Sequence, residues 1–289
     1  MRGRNVHTWA LLAPWIITLV VFWIYPLIYA LVLSFSEYRT LTNQISFIGF
    51  DNYLKAFNDD GFWRALRNTS VFTVGTVPFT TAFALLLATA IRKRTPALAS
   101  FFRASYFLPS VTSLVVIALV FTNLYARDGY VNVLAGLLGL PHPTQGWLLD
   151  QNSALASIMA MDVWISTGYY MVLFLAGMEA IPKDLYEAAD LAGASRWQQF
   201  WRITLPMLRS TMLFVVVINS IKSFQIFVEI YIMTKGGPLG ATSTLVYEVY
   251  HQAFEQSDMM GYASALAYIV FVILLAISFI QMRLLKVRS

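Results

Sequence analysis

Six apolar stretches, each long enough to cross a lipid bilayer as a helix, constrain this chain more than any other feature. They run approximately over Trp9–Phe35, Asn68–Ile91, Ser105–Tyr125, Ala154–Met178, Met207–Met233 and Tyr262–Leu285. A bilayer core about 30 Å thick takes about 20 residues of helix, and a helix satisfies its own backbone hydrogen bonds in lipid. Hydrophobic residues make up 58% of the chain, beyond the range of water-soluble domains. We therefore predict an all-α membrane protein with six transmembrane helices in a single domain over residues 1–289.

The first apolar stretch is the one that could be a signal peptide. It exceeds the roughly 7–15 apolar residues of a signal core, and no small-x-small cleavage site follows it. We expect a retained helix. The alternation typical of a membrane β-barrel is absent from the sequence.

Orientation follows from the distribution of Lys and Arg, which favour the cytoplasmic side. With a cytoplasmic N-terminus, thirteen fall on the inner side: Arg2, Arg4, Arg92, Lys93, Arg94, Arg103, Lys183, Arg196, Arg202, Arg209, Arg283, Lys286 and Arg288. Six fall on the outer side: Arg39, Lys55, Arg64, Arg67, Arg127 and Lys235. We predict that both termini are cytoplasmic. The net charge of +5 reflects this asymmetry, so no nucleic-acid partner is predicted.

One amphipathic segment, EAADLAGASRWQQFWRITLP at Glu187–Pro206, interrupts the apolar stretches on the inner side. Pro182 suits the start of a helix, and Gly193 suits the left-handed residue that ends it. Ser195 is a good N-cap for a second helix, on which Trp197, Phe200 and Trp201 form an apolar stripe. The segment therefore predicts two short helices joined by a turn.

Two interpretations fit this helix pair. It could lie on the inner leaflet, with Trp and Arg as interfacial anchors, or it could dock a cytoplasmic protein. Three carboxylates, on Asp184, Glu187 and Asp190, are poorly placed beside an anionic membrane surface. They favour a protein partner.

The same segment resembles the EAA loop of permease subunits of bacterial and archaeal ABC importers, which reads EAA, three residues, Gly, nine residues, then I-x-L-P. The match comprises Glu187, Ala188, Ala189, Gly193, Ile203, Leu205 and Pro206, with every spacing kept. Many relatives carry Asp immediately before the loop glycine. Here Ala192 holds that place, and the acid is Asp190.

Other segments extend the resemblance to carbohydrate-importer permeases of the MalF and UgpA type. They are DNY at Asp51–Tyr53, WLLDQNSAL at Trp147–Leu155, Trp164, TKGGP at Thr234–Pro238 and GYASAL at Gly261–Leu266. The resemblance implies a type I permease architecture and ATP-driven import of a sugar, polyol or glycerol-phosphate solute by alternating access. It also implies location in the inner, cytoplasmic membrane.

The partners implied by this resemblance are a second homologous permease, two cytoplasmic ATPase subunits and an extracytoplasmic solute-binding protein. Glu187, Ala188, Ala189 and Gly193 would form the turn of a coupling helix that docks on an ATPase. Gly236, Gly237 and Pro238 are candidate contacts for the binding protein. A plain tight turn is the alternative reading of these glycines.

No motif for catalysis or phosphate binding occurs in the sequence. None of the six lysines stands in a GxxxxGK frame, and His7, His142 and His251 are too dispersed for a metal motif. We therefore predict that the chain is not an enzyme and binds no metal or cofactor. The resemblance implies that ATP and Mg²⁺ are bound by the partner subunit.

Polar residues inside the predicted spans are the candidates for a substrate path, because ionisable groups are costly there. Asn219, Lys222, Ser223 and Glu229 share one helical face of the fifth span, and Asp162, Ser166 and Tyr169 share one face of the fourth. Similar depths predict an ion pair between Asp162 and Lys222. Such a pair could line the path or only fix helix packing.

Aromatic residues in the spans have two readings as well. Tyr169, Tyr170, Tyr268 and Trp164 could stack on sugar rings or could serve packing and the interfacial belts. An ion-coupled secondary transporter is the alternative function, although the matching halves expected of that class are not visible. A membrane-embedded enzyme is a third possibility, and the choice between a neutral sugar and a phosphorylated polyol stays open.

Overall fold

The computed structural model describes residues 2–39 and 44–285, and these residues are almost entirely helical. The α-helices are α1 (Arg2–Leu19), α2 (Tyr25–Ser34), α3 (Asp51–Phe57), α4 (Asp60–Arg92), α5 (Pro96–Val111), α6 (Leu114–Leu124), α7 (Tyr130–Leu137), α8 (Ala154–Glu179), α9 (Lys183–Leu191), α10 (Arg196–Gln199), α11 (Leu205–Met207), α12 (Arg209–Phe224), α13 (Val228–Met233), α14 (Leu245–Tyr250) and α15 (Met260–Leu285). Three π-helical segments occur at Val20–Ile24, Phe200–Thr204 and His251–Glu255. Strands β1 (Ser36–Arg39) and β2 (Gln44–Phe47) form an antiparallel hairpin that pairs Ser36 with Phe47.

The chain divides into two compact units. One contains the N-terminal helices, the hairpin and α3, up to Trp63, together with Glu248–Val272. The other contains Arg64–Tyr247 and the C-terminal part of α15 from Ile273.

In the first unit, α1 and α2 form one long apolar rod with a π-helical turn between them. Pro26 has no N–H to donate to the preceding turn, and Tyr25 N–H bonds to the Val20 carbonyl five residues back. Almost no side chain of Leu11–Ser34 is buried within the chain. A helix that is apolar all round and exposed needs lipid or another protein around it.

Two segments that resemble the permease family have structural roles in this unit. The Asn52 side chain on α3 donates to the carbonyls of Ser34 and Ser36, both at 3.0 Å. Gly261 lies against the Ser36 carbonyl so closely that a Cβ would collide with it. The adjacent Tyr262 hydroxyl donates to Asp59 at 2.7 Å. These contacts join α3 to the start of the hairpin, and the start of α15 to β1 and to Asp59.

The second unit packs α4, α5, α6, α8, α12 and α13 around two apolar clusters. One includes Phe72, Ile158 and Ile230, and the other includes Phe174 and Leu208. Helices α5 and α8 cross closely because Gly168 leaves no room for a Cβ against the Tyr106 carbonyl. Ser110 Oγ also donates to the Ile165 carbonyl across this contact, at 2.7 Å.

Within the described residues, five helices are long and apolar enough to cross a membrane, or six if one bent pair counts as a span. That bent pair is the predicted third span. Its prediction as one helix over Ser105–Tyr125 is wrong, because α5 and α6 meet at 93°. Thr112 and Ser113 have extended backbone conformations at the bend, and Pro109 has already removed one helical donor.

Helix α4 extends beyond the predicted second span. It begins at Asp60, before the predicted start at Asn68, and runs for 33 residues, about 50 Å at 1.5 Å per residue. Hydropathy marks the lipid-embedded part of a helix and misses a polar extension. Lys286 and Arg288, which entered the charge count, lie outside the described residues.

Candidate functional site

The EAA element, residues 183–206, is a helix–turn–helix whose turn is closed by backbone hydrogen bonds. At the end of helix α9, Ala194 N–H donates to the Ala189 carbonyl at 2.9 Å, and Gly193 N–H donates to the backbone carbonyl of Asp190 at 3.0 Å. Gly193 has φ +71°, the left-handed conformation that favours glycine. The predicted helix end at Gly193 is confirmed.

The second helix of the element begins with a capping box. Ser195 Oγ accepts from Gln198 N–H at 3.3 Å, and the Gln198 side chain accepts from Ser195 N–H at 2.8 Å. The predicted cap at Ser195 is therefore confirmed. Both ends of the turn are satisfied, so the EAA element holds its shape through its own hydrogen bonds.

Asp190 joins the two helices of the EAA element. Gln199 Nε2 donates to Asp190 Oδ1 at 2.6 Å and to the Ala194 carbonyl at 3.2 Å. Ala192, where many relatives carry Asp, is the C-cap residue of α9 and is exposed. The acid at Asp190 thus stabilises the turn through Gln199, a residue that the sequence analysis missed.

Tyr186 fastens the EAA element to the end of α4. Its hydroxyl accepts from Arg92 at 3.0 Å and lies 2.9 Å from Thr204 Oγ1. The Arg92 guanidinium also stacks over the Tyr186 ring at 4.8 Å. Tyr186 is therefore a direct contact between α9 and a long helix of the unit.

The outer surface of α9 is open. No residue of this helix is buried, and Glu187, Ala188 and Gly193 are exposed while Ala189 is half-buried. Leu191 is 92% exposed beside the turn. A charged, small-residue surface with one projecting apolar side chain is suited to fit a groove on another protein.

A second polar site lies within the spans, where α8 and α12 meet. Lys222 Nζ donates to Asp162 Oδ1 at 2.7 Å and to Ser166 Oγ at 2.6 Å. Ser166 Oγ also lies 3.2 Å from Asp162 Oδ1. The predicted pairing of Asp162 with Lys222 is confirmed.

Burial differs between the two charges. Asp162 is buried, whereas the Lys222 side chain is 41% exposed on the surface of the chain. An ammonium within an apolar span is rarely left facing lipid. The exposed side of Lys222 therefore belongs against water or another protein.

Neighbouring polar side chains continue this site. Thr76 Oγ1 donates to Ser223 Oγ at 3.2 Å, and Ser223 Oγ lies 3.5 Å from Asn219 Oδ1. Asn219 Nδ2 and Asp162 Oδ2 are buried without a hydrogen-bond partner in the described part of the chain. Unpaired buried polar atoms are expensive, so both atoms mark a region of concentrated polarity inside the unit. Thr76 on α4 was not anticipated from the sequence.

The remaining predicted members are Tyr169 and Glu229, and Glu229 is buried within electrostatic range of both Asp162 and Lys222. Tyr169 lies on α8 with its ring 5.2 Å from that of Tyr170, and 43% of the residue is exposed. The prediction that Glu229 shares a continuous helical face with Lys222 is wrong. Helix α12 ends at Phe224 and α13 begins at Val228. The freed Ile226 carbonyl accepts from the Thr244 hydroxyl at 3.2 Å, a tertiary contact that sequence periodicity cannot reveal.

Gly236, Gly237 and Pro238 form a tight turn after α13. Gly236 has φ +78°, and a Cβ there would come within 2.7 Å of the Tyr247 ring. Thr242 Oγ1 donates to the Gly237 carbonyl at 2.6 Å. The residue that projects from this turn is Leu239, which is 82% exposed.

Among the described residues, no group of three or more His, Asp or Glu is arranged to hold a metal ion.

Comparison with known proteins identifies the architecture. Residues 80–287 match the family model of the binding-protein-dependent transport system inner membrane component. The chain is 34% identical over 282 residues to the lactose transport system permease protein LacF of Rhizobium radiobacter, covering 97% of this chain and 94% of that protein. It is 32% identical to the sn-glycerol-3-phosphate transport system permease protein UgpA of Agrobacterium fabrum, covering 99% and 96%.

A solved structure shares the fold. It is a crystal structure of a bacterial alginate ABC transporter in complex with alginate pentasaccharide-bound periplasmic protein. The matching chain has a TM-score of 0.84 and 25% sequence identity, with 98% of this chain and 96% of that chain covered. The expected type I permease architecture is confirmed by this likeness.

Proposed function

Because this chain belongs to the family of binding-protein-dependent transport system inner membrane components, we propose that it transports a sugar, a polyol or a glycerol-phosphate solute. It is a permease subunit of an ATP-driven importer in the membrane. The solute class rests on the relatives, which are named for lactose and for sn-glycerol-3-phosphate. One of these named solutes is neutral and the other is anionic, so the relatives do not determine whether the solute of this chain carries a charge.

The observation that carries the proposal is the exposed and self-supporting EAA element. It presents Glu187, Ala188 and Gly193 outward while Tyr186 ties it to α4. We assign the Glu187–Gly193 turn, which includes Ala188 and Ala189, as the docking site of a cytoplasmic ATPase subunit. Closure of the ATPase pair on nucleotide would push this turn, and the rigid link through Tyr186 would carry the push into the spans.

The assembly we propose contains this permease, a second homologous permease, two ATPase subunits and an extracytoplasmic binding protein. ATP and Mg²⁺ are held by the ATPases, and no cofactor is assigned to this chain. With six spans, both termini lie on the same side of the membrane, and we assign that side, together with residues 182–206, to the cytoplasm. This orientation follows the excess of Lys and Arg on that side.

The solute path is assigned to the surface around Lys222. Its ammonium is 41% exposed within an apolar span, and the facing permease would enclose the water and solute that it contacts. Asp162 and Ser166 hold the ammonium. Asn219 and Ser223 are buried beside them and complete the polar region behind this surface. Tyr169, exposed on α8, is the aromatic candidate for contact with a sugar ring.

The turn of Gly236, Gly237 and Pro238 is assigned to the binding-protein side. Its internal packing makes it a rigid base, and Leu239 is the side chain that projects from it. Contact with the binding protein is therefore proposed to run through this tip. Gly236 and Gly237 can therefore form a tight turn and also support a contact with the binding protein.

Reconstitution in lipid vesicles tests the proposal. Vesicles would contain this chain, the neighbouring permease, the ATPase and the binding protein, and uptake would be measured for oligosaccharides, monosaccharides and polyol phosphates. We expect uptake that requires all four components and ATP. ATP-independent uptake by this chain alone would instead favour an ion-coupled secondary transporter.

A further inference from the structure

A cleft of about 370 Å³ lies behind the EAA element, on the side away from the exposed surface of α9. It is lined by the ends of α4 and α8 and by residues of α9, α10 and the following π-helical segment. Its charged lining consists of Arg92, Lys93, Arg196 and Asp190. Of the proposed docking turn Glu187–Gly193, Asp190 is the residue that also lines this cleft.

The charges of the cleft do not cancel. Three cations face one carboxylate, and Asp190 Oδ1 already accepts from Gln199 at 2.6 Å. Arg92 is held in place by its stacking and hydrogen bond with Tyr186, which leave other guanidinium N–H groups available. A concave site with excess positive charge attracts and concentrates anions.

The geometry of the donors selects the kind of anion. Arginine presents a planar fork of N–H groups and lysine a compact charge, and together they suit the several acceptor oxygens of a phosphoryl group. We infer that this cleft binds an anionic phosphoryl group, either a phospholipid headgroup or a free phosphate. This site goes beyond the permease function proposed above, since neither ATPase docking nor the solute path requires it.

Position favours a membrane source for the phosphoryl group. Thr89 and Met178, near the inner ends of two spans, line the same cleft. Trp197, 69% exposed, and Trp201 stand on the EAA element beside it, and tryptophan is enriched at the membrane interface. Basic pockets between spans on the cytoplasmic side suit anionic lipid headgroups. A bound headgroup would brace α10 against the end of α4.

Lipid retention by the purified full-length chain tests this inference. The chain would be titrated in neutral detergent with short-chain phosphatidylglycerol, short-chain phosphatidylcholine or inorganic phosphate, and bound ligand counted by native mass spectrometry. The variants are Lys93→Gln and Arg196→Gln, with Arg94→Gln and Arg202→Gln as controls that remove a nearby charge outside the cleft. We expect phosphatidylglycerol binding to weaken about fivefold for each lining charge removed, and the controls to match the wild type.

The outcomes separate the two sources. Displacement of phosphatidylglycerol by millimolar inorganic phosphate would support binding of the phosphoryl group itself, and no displacement would support a lipid held by its headgroup and chains together. Equal binding of phosphatidylcholine, or equal weakening by the control variants, would overturn the inference. Displacement of the lipid by the ATPase subunit would also overturn it, because the cleft would then belong to a protein interface.

Discussion

The ammonium nitrogen of Lys222 on α12 lies 2.7 Å from a carboxylate oxygen of Asp162 on α8. Ser166 is within hydrogen-bonding distance of both groups. Asp162 is buried, so its charge depends on this partner, whereas Lys222 retains an exposed side. Asp162 therefore has a structural role, and Lys222 is placed to contact water, solute or another protein outside the chain.

Reversing either charge should damage the protein. Asp162→Lys or Lys222→Asp places like charges together, and breaking a fully buried pair costs about 3–5 kcal/mol. The partial exposure of Lys222 reduces this cost. We expect each single variant to lower the yield of folded protein in the membrane and to abolish uptake.

The double variant, with both charges exchanged, restores the attraction. Folded yield should return close to the wild-type level, and uptake should recover in part because the ammonium now lies on α8. No recovery in either measurement would contradict direct pairing. Complete recovery of uptake would limit the pair to helix packing and remove Lys222 from the solute path.

Glu187 should matter for coupling and not for folding. It is exposed, and the hydrogen bonds that shape the EAA turn do not involve it. Glu187→Lys should therefore leave membrane insertion intact and reduce uptake at least tenfold. The checks are binding-protein-stimulated ATPase activity and uptake in vesicles.

The matched control for Glu187 is Glu179→Lys. Glu179 is another exposed carboxylate close to the same element, with only a 3.9 Å ion pair to Arg103. Exposed pairs of this kind contribute about 0–1 kcal/mol, so transport should be close to normal. Equal loss in both variants would point to a general effect of charge on the inner surface.

Gly193 separates backbone strain from surface contact. A Cβ at this position meets no atom within 4 Å, but φ is +71°. Gly193→Ala should therefore cost about 1–2 kcal/mol through conformation alone, while Gly193→Asn should cost less because Asn tolerates this region. Hydrogen exchange of the Ala189–Ala194 turn would measure the difference.

Transport measurements complete that comparison. If the turn docks on an ATPase, Gly193→Asn should impair coupling more than its small effect on hydrogen exchange would suggest, because the new side chain stands on the docking surface. Normal transport by Gly193→Asn would show that the partner does not approach this residue.

The EAA element illustrates how much of the site the sequence predicts. Gly193 and Ser195 determine the helix end and the helix start through local backbone chemistry, and both appear where the pattern puts them. The links from Gln199 to Asp190 and from Arg92 to Tyr186 depend on tertiary packing. No local signal marks these partners, so the sequence could not identify them.

The spans show the same division. Hydrophobic length predicts α8 and α15 almost to the residue, since these helices are unbroken and apolar. The 93° bend between α5 and α6 and the interruption after Phe224 fall inside apolar runs. Hydropathy is the same for a straight and a broken helix, so periodicity could not show that Glu229 comes near Lys222 from a separate helix, α13.

Leu239 offers the sharpest test of the outer turn. It is 82% exposed and has φ +51°, a conformation that is costly for a leucine. A residue kept in that conformation and on the surface suggests a contact function, because the fold alone gains nothing from it. Leu239→Asn removes the apolar side chain and suits the backbone, so the turn should be as stable as in the wild type or slightly more so. Uptake at limiting binding-protein concentration should nevertheless fall several-fold, with recovery at saturating concentration.

Gly236→Val is the contrasting variant, since its side chain would strike Tyr247 and should disrupt the turn itself. Unchanged dependence on binding-protein concentration in Leu239→Asn would remove this tip from the binding-protein contact.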